Sequence, residues 1–89
     1  MKKIFIFTIN NCVHCSELKE NLKALLIPFH DVEITKNRNL WKNVISQTGY
    51  DVLPTVFIQT SDDGNWVVYT PGRDFQDINE IIEIIKKNI

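Results

Sequence analysis

With 89 residues, 44% of them hydrophobic, the chain has apolar material for one small domain with one core, spanning residues 1–89. A domain this size buries roughly 60–65% of the surface its unfolded chain exposes. Ten Lys/Arg against eleven Asp/Glu, a net charge of −1 and no basic block exclude nucleic acid as the main partner.

Met1-Lys2-Lys3 has the charge of a signal n-region, but the apolar residues 4–7 are too few for an h-region and polar Asn10-Asn11 follow. No segment is long enough to cross a membrane, so a cytoplasmic address is expected. In that compartment two cysteines are more often reactive than structural.

Residues 3–8 (KIFIFT) form a β-branched and aromatic run, the pattern of a central strand buried on both faces. Cys12-Val13-His14-Cys15 follows and holds both cysteines of the chain. Residues 13–26 place Leu18, Leu22 and Leu25/Leu26 at helical spacing, with Pro28 as the stop. Residues 29–34 read as a second strand carrying Phe29, Val32 and Ile34. Residues 39–48 read as a second helix carrying Leu40, Val44 and Ile45, and Gly49 suits its left-handed cap. Residues 55–60 (TVFIQT) and 66–69 (WVVY) are strands joined by the turn 61–65 (SDDGN) as a hairpin. Residues 74–88 are the last predicted helix, with Ile78, Ile81, Ile82, Ile85 and Ile89 inward. Asp74 is its expected cap and Asp77 a second acid in its first turn.

The order β-α-β-α-β-β-α predicts an α/β domain. A right-handed crossover makes the first two strands parallel, and the last two pair antiparallel. The result is a four-stranded mixed sheet flanked by helices. No apolar face is left over, so a monomer is expected.

At a strand-to-helix junction, Cys12 sits where unpaired N–H groups and the positive dipole end stabilise a thiolate. Cys15 lies one turn on, within reach of a disulfide and more buried. Cys12 is therefore read as the nucleophile and Cys15 as the resolving thiol. His14, between them, either stabilises the Cys12 thiolate through its imidazole or is a plain solvated helix residue. A zinc site made of Cys12, His14, Cys15 and His30 is the structural rival. One short turn aims three side chains poorly at a tetrahedral ion, and His30 lies in a separate strand, so no metal is expected. Pro54 by itself reads as a trans proline opening a strand. Gln47 by itself reads as a surface helical residue. Trp41, Trp66 and Phe75 read as core or rim, with Tyr50 close enough to the Pro54 turn to flank a site.

Gly49-Tyr50-Asp51-Val52-Leu53-Pro54-Thr55-Val56-Phe57-Ile58 resembles the glutaredoxin segment G-x-x-T-V-P-x-V-F-I. Together with Cys12-x-x-Cys15, it makes the chain similar to glutaredoxins over nearly its whole length. The resemblance implies a thioredoxin-like fold and a cis Pro54. It also implies that the Leu53 backbone lies beside the Cys12 sulfur, gripping glutathione or an extended peptide as an added strand. Gln47 resembles the Arg/Gln that binds the glycine carboxylate of glutathione. Pro71-Gly72 stands where the family has Gly-Gly. The following Arg73 and Asp74 would then offer helix N-terminal N–H groups to the γ-glutamyl carboxylate. The family's Lys before the first cysteine is Ile9 here, with Arg73 as a substitute cation; Val52 and Val13-His14 also depart from the pattern. The implied activity is reduction of protein disulfides and glutathione mixed disulfides with electrons from glutathione and no permanently bound cofactor. Ribonucleotide reductase is one target the resemblance suggests.

Val13 after Cys12 also resembles the C-V-x-C motif of NrdH-type redoxins, which take electrons from thioredoxin reductase. A third reading is a glutaredoxin holding a [2Fe–2S] cluster between two protomers through the first cysteine and glutathione; the second motif cysteine disfavours it.

Overall fold

A computed structural model describes residues 3–59 and 64–89. The elements are β1 (Ile4–Thr8), α1 (Val13–Ala24), β2 (His30–Glu33), a 3-10 turn (Ile34–Lys36), α2 (Arg38–Thr48), β3 (Thr55–Gln59), β4 (Trp66–Tyr69) and α3 (Ile78–Lys87). The four strands form one sheet in the order β2-β1-β3-β4. β1 is parallel to β2 and antiparallel to β3, and β4 is antiparallel to β3.

Side chains alternate across a strand, so the run on β1 supplies both faces of the sheet. Ile4 and Ile6 pack with Leu18 and Leu22 of α1 and Ile78, Ile81, Ile82 and Ile85 of α3. Phe7 points the other way, into a smaller cluster with Trp41 and Val44 of α2. The expected single core is thus two clusters separated by the sheet. The larger one fixes α1 and α3 on the same face, and their N-terminal ends carry the site described below.

Helix α1 ends before Pro28 is reached. Leu26 adopts a left-handed φ of 58°. Its N–H donates to Lys23 O at 3.1 Å, and the Ile27 N–H donates to Leu22 O at 2.9 Å. This is a Schellman closure with a leucine at the position glycine usually takes, sealed by the Leu22–Ile27 contact within the larger cluster. β2 also stops early, because the Glu33 side chain accepts from the N–H groups of Thr35 and Lys36 and winds Ile34 into a 3-10 turn. Gly49 caps α2 at φ 76°, as its position predicts.

The last helix departs most from expectation. Asp74 does not cap it. The Asp74 carboxylate accepts from the Thr70 N–H at 2.8 Å and from Arg73 Nε at 2.9 Å. Phe75 is buried at 3% exposure, and its C=O accepts from the Gly72 N–H at 2.8 Å, closing residues 70–75 into a loop. Helix α3 therefore starts at Ile78, where Asp77 accepts from the Glu80 N–H at 2.9 Å and Glu80 accepts from the Gln76 N–H at 3.3 Å. This reciprocal pair is close to a capping box. Residues 60–63 of the predicted hairpin, and Met1-Lys2, lie outside the described residues. Among the described residues no helix is long and apolar enough to cross a membrane.

Candidate active site

Asn11, at φ 65°, turns the chain from β1 toward α1. A left-handed backbone suits asparagine better than most residues. Cys12 follows in extended conformation as the N-cap of α1, and its sulfur accepts from the Cys15 N–H at 3.2 Å. Cys12 thus occupies a position that usually carries an oxygen acceptor. No acidic residue stands in the first turn of α1 to offset the positive end of the helix.

The Cα atoms of Cys12 and Cys15 are 5.2 Å apart and the two residues are joined by a disulfide. Cys15 is 1% exposed, whereas Cys12 is half-buried and lines an open groove with Val13, Ser16 and Glu17. Access is therefore asymmetric: an incoming molecule meets the Cys12 sulfur first.

The Leu53–Pro54 peptide bond is cis. The loop that carries it is held on several sides. Trp41 Nε1 donates to Asp51 at 3.2 Å, Thr55 Oγ1 donates to Val52 O at 2.7 Å, and the Tyr50 N–H donates to Thr48 Oγ1 at 3.1 Å. His14, Leu53 and Pro54 line one side of a cleft of about 120 Å³, and Gln76, Asp77 and Ile78 line the other. The start of α1, the cis turn and the start of α3 thus open onto one small cavity.

The family model for glutaredoxin matches residues 4–61. The chain belongs to the glutaredoxin family. With its Cys12–Cys15 pair it is a thiol–disulfide oxidoreductase. The thioredoxin-like protein BC3987 superposes at a TM-score of 0.61 and 21% identity, covering 98% of this chain and 100% of that one. Glutaredoxin from Brucella melitensis superposes at 0.57 and 13% identity, covering 96% and 79%. Thioredoxin from Plasmodium falciparum superposes at 0.62 and 20% identity, covering 98% and 70%. At these identities the likeness is one of fold: thioredoxin-like α/β. Comparison with curated proteins returns no significant match.

The remaining residues expected at a glutaredoxin site are placed unevenly. Gln47 is exposed in the last turn of α2 and is not among the residues lining the cleft. Gly72 sits at φ 86° in the closed loop, with its N–H committed to Phe75 O. Arg73 and Asp74 do not provide helix N-terminal N–H groups, because α3 begins after them and the Asp74 N–H already donates to Thr70 O at 2.9 Å. The Arg73 guanidinium is engaged as well, by Asp74 at 2.8 Å and by Val68 O at 3.0 Å. The hydrogen bond and charge of Asp74 push it above the ordinary arginine value and hold it protonated. Sequence reading missed Gln76, Asp77 and Ile78. The signal was present as Asp77-x-x-Glu80, but Asp74 competed with it.

His14 is exposed on the cleft and makes no hydrogen bond or ion pair among the described residues. His30 packs edge-on against Phe5 at 4.8 Å, within the sheet. Among the described residues no group of three or more His, Cys, Asp or Glu side chains is placed to hold a metal ion.

Proposed function

We propose that the chain is a dithiol glutaredoxin that reduces protein disulfides and glutathione mixed disulfides with electrons from glutathione. One observation carries this reading: His14, which lies between the two cysteines of the disulfide, lines one cleft with the cis Leu53–Pro54 turn and the start of α3.

In the reduced protein, the Cys12 thiolate attacks a substrate sulfur. The substrate S–S bond breaks, one thiol leaves, and Cys12 holds the other half as a mixed disulfide. The Cys15 sulfur then attacks Cys12 Sγ. The second thiol departs with the proton Cys15 gives up, and the Cys12–Cys15 disulfide remains. One glutathione thiolate reopens that disulfide at Cys12, and a second releases oxidised glutathione, so two electrons pass in each cycle.

The backbone of Leu53 supplies an N–H and a C=O for the substrate's cysteine unit, in the manner of strand addition. The first turn of α3, beyond the Asp77 cap, takes the role earlier expected of Arg73 and Asp74 toward the γ-glutamyl carboxylate. Gln47 is assigned the glycine carboxylate and His14 the Cys12 thiolate. The same reading makes the protein a cytoplasmic monomer without metal, nucleic acid or membrane partner, with ribonucleotide reductase among its targets.

One observation favours a second donor. Arg73 is already neutralised by Asp74, and Ile9 stands where the family has a lysine, so cations for glutathione's carboxylates are few. An NrdH-type redoxin fed by thioredoxin reductase would not need them. Coupled NADPH oxidation decides the matter. Turnover with glutathione and glutathione reductase supports the first reading; turnover with thioredoxin reductase alone rejects it.

A further inference from the structure

Arg73 spans the two loops that frame the cleft. Its Nε donates to Asp74 at 2.9 Å and its terminal NH2 donates to Val68 O at 3.0 Å. Asp74 is itself fixed by the Thr70 N–H at 2.8 Å. From this anchored position the guanidinium lies 5.9 Å from the centroid of the Tyr50 ring. Tyr50 opens the segment that ends in the cis Leu53–Pro54 turn. The guanidinium therefore touches β4 and the 70–75 loop on one side and the cis-proline loop on the other.

An arginine held this way is a poor ligand for an incoming carboxylate. The newcomer would meet the Asp74 carboxylate already on the same guanidinium, and Asp74 has its own backbone hydrogen bond to keep. What remains available is the flat face, which suits an aromatic ring.

We propose that Arg73 is a positioning residue: it fixes Tyr50, and through it the Leu53–Pro54 wall of the cleft, so that peptidic substrate is bound without contact to Arg73 itself. The proposal rests on the reading of that cleft as the substrate site, and it corrects the expectation that Arg73 replaces the missing lysine as a carboxylate ligand.

The test is a Michaelis analysis of Arg73→Gln, Arg73→Lys, Tyr50→Leu, Tyr50→Phe and the Arg73→Gln/Tyr50→Leu double variant. The substrate is a short cystine peptide, made once with free carboxylates and once fully amidated. Dithiothreitol serves as reductant, so the assay does not depend on which natural donor is right. A surface cation–π contact of about 0.5–1 kcal/mol corresponds to roughly a two- to fivefold effect. Arg73→Gln and Tyr50→Leu are each expected to raise KM by that factor with kcat unchanged, equally for both peptides. The double variant should be no worse than either single one. Tyr50→Phe keeps wild-type behaviour, and Arg73→Lys fails to rescue because an ammonium lacks both the fork and the flat face. A penalty that vanishes on the amidated peptide, rescue by lysine, or a silent Tyr50→Leu each overturns the proposal. Failure of the glutathione-coupled assay with these effects intact would instead reject only the donor.

Discussion

The backbone N–H of Cys15 points at the sulfur of Cys12, 3.2 Å away. The same donor that closes the first turn of α1 is therefore in place to meet negative charge on that sulfur once the disulfide opens. A hydrogen bond to a charged acceptor is roughly twice as strong as one between neutral groups. The buried Cys15 sulfur sits behind it and meets substrate second.

Cys12→Ser is expected to abolish turnover, whereas Cys15→Ser keeps part of the single-thiol reaction on glutathione mixed disulfides. Initial rates with a glutathionylated peptide and with a protein disulfide measure both. Full turnover by Cys12→Ser would reverse the assigned roles.

His14 lies within the motif and lines the cleft with Pro54. The role proposed for its imidazole is to stabilise the Cys12 thiolate, and stabilising the thiolate stabilises the reduced form. His14→Tyr should thus make the couple more reducing by tens of millivolts, where about 30 mV equals about 1.4 kcal/mol. Equilibration against glutathione redox buffers reads the shift. An unchanged potential assigns His14 to solvent.

Leu26 has a φ of 58° and is 89% exposed, so it carries the left-handed penalty without packing to offset it. The penalty for a residue with a Cβ is about 1 kcal/mol or more, part of which glycine returns as unfolded-state entropy. Leu26→Gly should stabilise the fold by about 0.5–1 kcal/mol in urea unfolding. A loss of stability would show that this closure of α1 is not as described.

Asp31 accepts from Thr8 Oγ1 at 2.5 Å and pairs with Lys19 at 2.9 Å. Partial burial alone would raise its carboxyl, but the Thr8 hydrogen bond together with Lys19 outweighs it and holds the group below the ordinary 3.8. A depressed folded-state value means the carboxylate's contribution is fully present above 3.8 and is lost as pH falls through the folded value below it. The pair is well exposed to solvent, so Asp31→Asn should cost at most about 1 kcal/mol at neutral pH. The gap to wild type should close on acidification below pH ~4. Unfolding curves at neutral and acid pH test this; a gap independent of pH would contradict it.

Much of the fold is written in local patterns. β1 announces its two buried faces because Ile4, Phe5, Ile6 and Phe7 leave no polar side for solvent. Gly49 marks the end of α2 because few other residues tolerate its backbone. Ile78, Ile81, Ile82 and Ile85 recur at helical spacing and lie buried, whereas Ile89, expected inward with them, falls beyond the end of α3 and is exposed. The redox pair and the cis turn were legible as well, the first from cysteine spacing and the second from the likeness of the Pro54 segment to glutaredoxins.

The sequence by itself determined the redox chemistry, the family and the element order, because each rests on residues close together in the chain or on a short motif. Tertiary structure decided where the last helix begins and which groups surround Arg73. Asp74 and Asp77 are both competent caps with an acid three residues on. The choice between them depends on Thr70, whose N–H captures Asp74, and on Phe75, whose burial in the larger cluster closes the loop before a helix can start. Likewise an arginine beside the site reads as a ligand until Val68, Asp74 and Tyr50 are brought around it. Competition for a single hydrogen-bonding or charged group is settled by which partners the fold delivers first, and those partners are set by packing rather than by spacing along the chain.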